Sequence, residues 1–257
     1  MEPTVAITGA TSGIGRAVAG AFVDAGAFVA VSGRDGAAVD RTVAELNGEA
    51  SEDGAAAGDA AEVGDEDASG ADDADSDGTA WGARVDVRDE FDLERFFERV
   101  AREAGPVDVV LANAAVFHGV PGESPIDGTA YRAFDDAMRT NARGVFATVR
   151  EAIPHLADGA RVLVPSGSVA HESKAGMGAY AVSKAAAEAV ARGFAADLDA
   201  TVGVVDPGLV ATDLTGMERA RDPDSVAPLF VWAATDAPAE DVDGERIGLR
   251  EWKKATR

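Results

Sequence analysis

Two scarce side chains lie four residues apart in the segment GAYAVSKAAAEAV, which runs from Gly178 to Val190. Tyr180 is one of two tyrosines in the chain, and Lys184 is one of four lysines. The alanine-rich composition favours a helix, on which residues four apart share a face. A free phenol titrates near pKa 10, and a neighbouring ammonium in a site of low dielectric lowers that pKa. The pair therefore predicts a phenol that works as a general acid and base.

A glycine-rich turn, TGATSGIG, joins the first apolar run to the first helical pattern, from Thr8 to Gly15. Its glycines, at positions 9, 13 and 15, let the backbone turn tightly and approach a ligand without Cβ clashes. The free amides at the start of the following helix favour a pyrophosphate. The turn therefore indicates a dinucleotide site, with a tight turn that binds nothing as the alternative. Its GxxxGxG spacing differs from the GxGxxG of ordinary dinucleotide folds.

Apolar β-branched runs alternate with amphipathic helical patterns along most of the chain. Continuous apolar runs are typical of strands covered on both faces, and repeated β-then-α order implies a parallel sheet. We therefore predict one doubly wound α/β domain over residues 1–257, with about seven strands and helices on both faces. Strands are predicted at Val5–Thr8, 27–33, Ala83–Val87, 107–115, 160–168 and 201–208, and helices at Ile14–Ala25, Ala37–Leu46, Phe91–Glu103, about 131–153 and around Tyr180.

Polar side chains stand at the ends of several predicted strands, where ligands bind in open α/β sheets. Asp86 and Asn113 each end one strand, and Ser166 and Ser168 end another. Asn141 lies within the long predicted helix. Taken singly, the serines could cap a turn and the asparagine could be a surface residue. Together they predict a site at the carboxyl edge of the sheet.

In this order, the motifs resemble those of the short-chain dehydrogenase/reductase family: TGxxxGIG, an NAA strand end, a helical Asn, a Ser, YxxxK and a PG turn. The resemblance covers roughly Val5 to Asp213. It implies an NAD(P)-dependent oxidoreductase that acts on a small carbonyl or alcohol substrate and forms a homo-oligomer, a tetramer or a dimer. Tyr180 would exchange the proton of the substrate oxygen, while Lys184 would also hold the ribose hydroxyls. Ser168 would bind the substrate oxygen.

The resemblance also implies that Asn141 fixes a water linked to Lys184, and it assigns a set of residues to the cofactor. NADP is the expected cofactor, with NAD possible, because Arg34 follows Gly33 where NAD-selective members carry an acid. Asp35 opposes this preference, and position 12 is not basic. The cofactor-binding residues are Gly9, Ser12, Gly13, Ile14, Gly15, Arg34, Asp86, Val87, Asn113, Ala114, Tyr180, Lys184, Pro207, Gly208, Val210 and Thr212.

Two features depart from the family pattern. Ser168 precedes Tyr180 by twelve residues where thirteen is usual, and Ser166, at fourteen, is the alternative. The strand end reads NAA followed by Val116 where NAG is usual. Loss of that glycine predicts a narrower pocket beside the cofactor.

The chain is strongly acidic, with 46 acids against 23 bases and a formal net charge of −23. Such a surface repels nucleic acids and anionic lipids. An acid-rich, lysine-poor composition resembles that of proteins from salt-loving organisms. Residues 49–77 contain twelve acids and no base, and this predicts a disordered, solvated insertion, with a tail for a basic partner as the alternative.

Other function classes are not favoured by the composition. The chain has no cysteine, and its three histidines lack ligand spacing, so no metal site is predicted. The first residues lack a signal-peptide pattern, and no apolar run is long enough to span a bilayer, which predicts a cytoplasmic protein. A non-catalytic NAD(P)-binding regulator and a sugar-nucleotide epimerase or dehydratase remain alternatives. The complete Ser, Tyr, Lys and Asn set speaks against the regulator, and the turn spacing speaks against the epimerase.

Overall fold

The central feature is a seven-stranded parallel sheet. The computed structural model describes residues 2–49, 78–217 and 219–257. Within these residues the strand order is β3-β2-β1-β4-β5-β6-β7. The strands are β1 (Thr4–Thr8), β2 (Phe28–Gly33), β3 (Thr79–Arg84), β4 (Val107–Ala112), β5 (Leu156–Pro165), β6 (Thr201–Asp206) and β7 (Arg246–Gly248).

Helices connect these strands and cover both faces of the sheet. One of them is interrupted: α4 passes through a wider π-helical turn at Met138–Arg143 before it continues as α5. None of the described helices combines the length and apolar character needed to cross a bilayer. The helices are α1 (Gly13–Asp24), α2 (Gly36–Leu46), α3 (Glu90–Ala104), α4 (Tyr131–Ala137), α5 (Gly144–Ala152), α6 (Gly178–Asp197), α7 (Ala227–Thr235), α8 (Ala239–Val242) and α9 (Leu249–Ala255).

Two apolar cores lie on opposite sides of the sheet, because successive side chains of each strand point to opposite faces. In β1, Ile7 packs with Phe22 and Phe230 in one core, whereas Ala6 packs in the other with Phe96. The central strands are buried on both sides, which explains their continuous apolar runs. The predicted doubly wound α/β fold is confirmed.

A topological switch point lies between β1 and β4. The chain leaves β1 toward β2 and β3, and later crosses back to place β4 on the other side of β1. Crossovers that leave in opposite directions open a crevice at the carboxyl ends of these two strands. The glycine turn follows β1, and Asn113 follows β4, so both are carried to this crevice.

Several predicted elements differ in their bounds, among them the strands predicted at 107–115 and 160–168, which are β4 (Val107–Ala112) and β5 (Leu156–Pro165). The strand predicted at Ala83–Val87 is β3, at Thr79–Arg84, because its partner β2 ends at Gly33, which pairs with Arg84. Val87 beyond it is apolar because it packs in the core. The helix predicted from about 131 to 153 contains the π turn. The acidic insertion predicted at 49–77 lies, from residue 50 onward, outside the described residues.

Candidate active site

The glycine turn is shaped for close backbone approach. Gly9 has a φ of +65°, and a Cβ there would lie 2.7 Å from the Cα of Ala114. Gly13, with a φ of +53°, begins α1 and faces the side chain of Thr212. A Cβ on Gly15 would collide with the Gly9 carbonyl and the Asn113 amide. The turn therefore needs glycine for two separate reasons, backbone conformation and packing.

Asn113 braces the glycine turn. Its Nδ2 donates to the carbonyls of Gly9 and Thr8, at 2.8 Å and 3.1 Å. The Thr8 hydroxyl accepts from the Asn113 backbone amide at 3.1 Å. The side-chain amide is therefore occupied in holding the turn at the end of β4. Asn113 therefore shapes the turn, and its role toward a cofactor stays a prediction.

A cleft of about 540 Å³ runs along the carboxyl edge of the sheet. It brings together nine of the predicted cofactor residues from five separate segments of the chain. The φ > 0 turn at its floor leaves room that Cβ atoms would fill, so these residues fit a dinucleotide. The nine are Gly9, Ser12, Gly13, Ile14, Arg34, Val87, Asn113, Ala114 and Thr212.

The other predicted cofactor residues do not line this cleft. Gly15 lies behind the turn, against the Gly9 carbonyl. Tyr180 and Lys184 belong to α6, and the PG turn follows β6. In that turn the Gly208 amide donates to the Asp206 carboxylate at 2.9 Å. Assignment to the cofactor stays a prediction for Gly15, Asp86, Pro207, Gly208, Val210, Tyr180 and Lys184, as it does for the nine residues that line the cleft.

Asp86 belongs to a chain of charged side chains at the edge of the cleft. Arg88 donates to its carboxylate from Nε at 2.9 Å and Nη2 at 2.6 Å, and holds the pKa of Asp86 below its ordinary value. Arg88 Nη1 also donates to Asp136 at 2.8 Å, and His118 Nε2 lies 2.7 Å from the other oxygen of Asp136. The sequence reasoning did not identify Arg88 or Asp136, since neither belongs to a motif.

The two charged residues that follow β2, Arg34 and Asp35, are placed differently. Arg34 is exposed and lines the cleft. Asp35 instead caps α2, where its carboxylate accepts from the Ala38 amide at 3.3 Å. Gly33 packs so closely on the Thr11 side chain that a Cβ there would lie 2.7 Å from Thr11 Cγ2. An acid at position 33 would therefore displace Thr11.

Tyr180 is half-buried in the first turn of α6. Its ring lies against Phe117, with ring centroids 4.9 Å apart and an angle of 32° between the planes. Burial raises the pKa of Tyr180 to about 12. The prediction that Lys184 lowers this pKa is wrong for the chain without a ligand. Desolvation of the phenol dominates, and the Lys184 ammonium donates to a backbone carbonyl instead. Phe117 was missed because a single aromatic after a strand end carries no pattern.

Lys184 is buried on α6, with 6% of its surface exposed. Its Nζ donates to the carbonyl of Pro165, the last residue of β5. Burial lowers the pKa of Lys184 to about 8, and the charge of Glu188 opposes this shift. A buried lysine with a pKa this far below its ordinary value is uncommon, and such groups cluster at functional sites.

Asn141 lies in the π turn and is almost completely buried. Its Oδ1 accepts from the Val116 amide at 2.7 Å, and its Nδ2 donates to the Val116 carbonyl at 2.8 Å. Nδ2 also donates to the Ser183 hydroxyl at 2.9 Å. The side chain therefore ties the segment after β4 to α6. Because the side-chain amide is occupied, a water held by Asn141 would have to bind to its main chain.

The two candidate serines have different partners. Ser166 donates to the buried carboxylate of Glu188 at 2.6 Å. Ser168 begins a short 3₁₀ turn, and its Oγ accepts from Lys174. An ammonium can only donate, so the hydroxyl proton of Ser168 stays available for another acceptor. The structure thus favours Ser168 over Ser166 for binding a substrate oxygen.

Comparison with known proteins agrees with this arrangement. Residues 61–234 match the family model described as "Enoyl-(Acyl carrier protein) reductase", and residues 3–69 match the model described as "short chain dehydrogenase". The chain belongs to the short-chain dehydrogenase/reductase family, a family of oxidoreductases, as the resemblance implied.

Among named relatives, "NADPH-dependent aldehyde reductase 2, chloroplastic" of Arabidopsis thaliana is 29% identical over 94% of this chain and 90% of its own length. "Oxidoreductase asL5" of Sarocladium schorii is 27% identical over 82% of this chain and 73% of its own.

Solved structures share the fold. An alcohol dehydrogenase from Thermococcus sibiricus, complexed with 5-hydroxy-NADP, superposes with a TM-score of 0.78 at 24% identity, over 97% of this chain and 96% of the other. A 3-ketoacyl-(acyl-carrier-protein) reductase from Brucella melitensis, complexed with NADH, gives 0.76 at 22% identity, over 96% of both chains. At these identities the likeness concerns the fold alone.

Proposed function

We propose that this protein is an NADP(H)-dependent oxidoreductase that interconverts a carbonyl compound and an alcohol, with Tyr180 as the general acid and base. The observation that carries the proposal is Lys184, buried with a pKa lowered to about 8 and one helical turn from Tyr180. Burial of an ammonium costs stability, and groups with pKa values shifted in this way cluster at functional sites. The named relatives, an aldehyde reductase among them, support the same reaction class.

The cleft residues would hold the cofactor. The amides of the glycine turn would face the pyrophosphate, Arg34 the adenosine ribose phosphate, and Lys184 the nicotinamide ribose. When bound, the nicotinamide supplies or accepts the hydride. The floor shaped by Gly9 and Gly13 supports this assignment.

The remaining steps belong to side chains of this protein. Ser168 would donate its free hydroxyl proton to the substrate oxygen, because Lys174 already occupies its acceptor side. Tyr180 holds its proton at neutral pH, since burial raises its pKa to about 12, and would be the group that protonates that oxygen. Asn141 would support Lys184 through a water held by its main chain.

A screen of cofactor oxidation tests the proposed function. NADPH oxidation would be followed at 340 nm with ketones, aldehydes and sugars, in buffer with and without molar KCl. Turnover of at least one carbonyl class is expected. Cofactor binding without turnover of any class would instead favour the non-catalytic regulator.

Arg34→Ala is expected to reduce the preference for NADPH over NADH by about tenfold to a hundredfold, as loss of one or two charge-assisted hydrogen bonds would. The ratio of kcat/KM for the two cofactors measures this. Arg41→Ala is the control, since Arg41 is an exposed arginine of α2 outside the 540 Å³ cleft. A wild type that prefers NADH, or an unchanged ratio in Arg34→Ala, would remove the role of Arg34.

The acidic surface predicts stabilisation by salt. Carboxylates that crowd a surface repel one another, and ions screen that repulsion. The melting temperature is therefore expected to rise from low salt to molar KCl, as followed by circular dichroism. A melting temperature that is flat or falling over that range would contradict the proposed halophile-like adaptation.

Exposed apolar side chains support the proposed homo-oligomer, a tetramer or a dimer. Phe146 of α5 and Val182 of α6 are 41% and 40% exposed, and Phe146 stacks on Phe194 with ring centroids 5.5 Å apart. Apolar surface of this kind is typical of subunit contacts. The proposed cytoplasmic location continues to rest on the sequence.

A further inference from the structure

Glu188 is a buried acid on the catalytic helix to which no motif assigns a role. It lies four residues after Lys184 on α6, so the two side chains share a face. Only 4% of its surface is exposed. An acid is rarely buried this far unless it is paired.

Two side chains hydrogen-bond the Glu188 carboxylate, and a third cation lies nearby. Ser166 donates to Oε1 at 2.6 Å, and Arg246 of β7 donates to Oε2. Arg192 lies one turn further along α6, with Nη1 4.0 Å from Oε2. Arg246 also contacts His171, in the loop between Ser168 and α6. The buried carboxylate is thus the centre of a cluster whose cationic members, Arg192 and Arg246, reach the surface.

Glu188 and Lys184 hold adjacent residues of the chain. Lys184 donates to the carbonyl of Pro165, and Glu188 accepts from Ser166. Two opposite charges on one helix face therefore pin α6 to the carboxyl end of β5. Ser168 follows Ser166 by two residues, so the same two contacts help to position it.

We infer that Glu188 is a positioning residue of the site: its buried carboxylate keeps Lys184 cationic and anchors α6 to the end of β5. The inference rests on the proposed function, in which Lys184 carries charge to the cofactor and to Tyr180. The direction of the shift at Lys184 agrees, since the charge of Glu188 opposes the lowering caused by burial. Without that carboxylate, a lysine this deeply buried would lose its proton more readily.

Other charged groups near Lys184 act in known directions. Tyr180 is protonated at neutral pH and contributes no charge. Arg192 and Arg246 are cations that favour the neutral form of Lys184, and His171 adds to them if it is protonated. Asp206, at the end of β6, lies beside Gly167, where its Oδ1 would be 3.7 Å from an added Cβ. Glu188 is the acid one turn away on the same helix face.

The test measures the titration of Lys184 directly, in the full chain without cofactor. With lysine labelled by ¹³C at Cε, the four lysines of the chain yield four signals, and Lys184→Met identifies the one from Lys184. Glu188→Gln keeps an oxygen for Ser166 but removes the charge, and should lower the pKa of Lys184 by about one unit or more. Ser166→Ala keeps the charge and should leave that pKa within about 0.3 unit.

Arg246→Gln supplies a second arm that does not depend on the folding of Glu188→Gln. Removal of this cation should raise the pKa of Lys184, opposite in sign to the effect of Glu188→Gln. Glu103→Gln, at an exposed acid on α3, is the control for a general charge effect. Shifts of the same sign in both variants, or a shift below about 0.3 unit in Glu188→Gln, would overturn the inference.

These outcomes are distinct from failure of the proposed function. NADPH turnover in the wild type with no effect of Glu188 on Lys184 would reject this inference alone. Absence of turnover in the wild type would reject the proposed function, while the titration of Lys184 would still decide whether Glu188 controls its charge.

Discussion

Tyr180→Phe is expected to lower kcat by about a hundredfold to ten-thousandfold, the usual contribution of a positioned general acid. Only the hydroxyl is lost, and the ring keeps its contact with Phe117. The Kd for NADPH, measured by fluorescence titration, should stay within about twofold, a free-energy change well below 1 kcal/mol. A variant that keeps more than about a tenth of kcat, a loss under roughly 1.4 kcal/mol, would contradict the assigned role.

The chain offers a matched control for this experiment. Tyr131 is the only other tyrosine in the sequence, and it is 90% exposed at the start of α4. Tyr131→Phe removes the same hydroxyl oxygen at a solvent-exposed position and should leave kcat unchanged. If both variants lose activity equally, the effect does not belong to a specific acid at position 180.

Lys184→Met is expected to weaken turnover and NADPH binding together, and to stabilise the cofactor-free fold. The first two effects follow from its proposed contact with the nicotinamide ribose, one helical turn from Tyr180. The third follows from its pKa, which is about 8 in the folded chain against an ordinary value of 10.5. Because the charged form is disfavoured by folding, removal of the ammonium should raise the free energy of unfolding by about 1–3 kcal/mol at pH 7.

The stability difference between Lys184→Met and wild type should depend on pH. Below about pH 8 the lysine is charged in both the folded and the unfolded chain, so the folded state bears the full cost of burial. Between about 8 and 10.5 the folded chain releases its proton first, and wild-type stability rises with pH relative to the variant. The difference between Lys184→Met and wild type should therefore shrink across that range in urea unfolding curves.

Lys253→Met is the control, since Lys253 is an exposed lysine on α9. It should change neither stability nor NADPH binding. A Lys184→Met variant that is less stable than wild type at pH 7 would mean that the hydrogen bond to Pro165 outweighs the cost of the buried charge.

The sequence alone determined the fold class, and it predicted a site at the carboxyl edge of the sheet. The β-branched runs specify strands buried on both faces, and the glycine turn marks the start of the first helix, since both signals are local. The Tyr180–Lys184 pair could also be predicted from the sequence, because a helix places residues four apart on one face whatever surrounds it.

Only the tertiary structure decided what the side chains do to one another. β3 ends at Arg84 because β2 ends at Gly33, a limit that no pattern within residues 83–87 contains. The sequence preferred Ser168 and left Ser166 as the alternative, but only the fold shows that Glu188 accepts from the first of these serines in the chain and Lys174 donates to the second. Burial at Tyr180 raised a pKa that the sequence led us to expect lowered. Desolvation and long-range pairing depend on segments far apart in the chain, and they exist only once the sheet and its helices have packed.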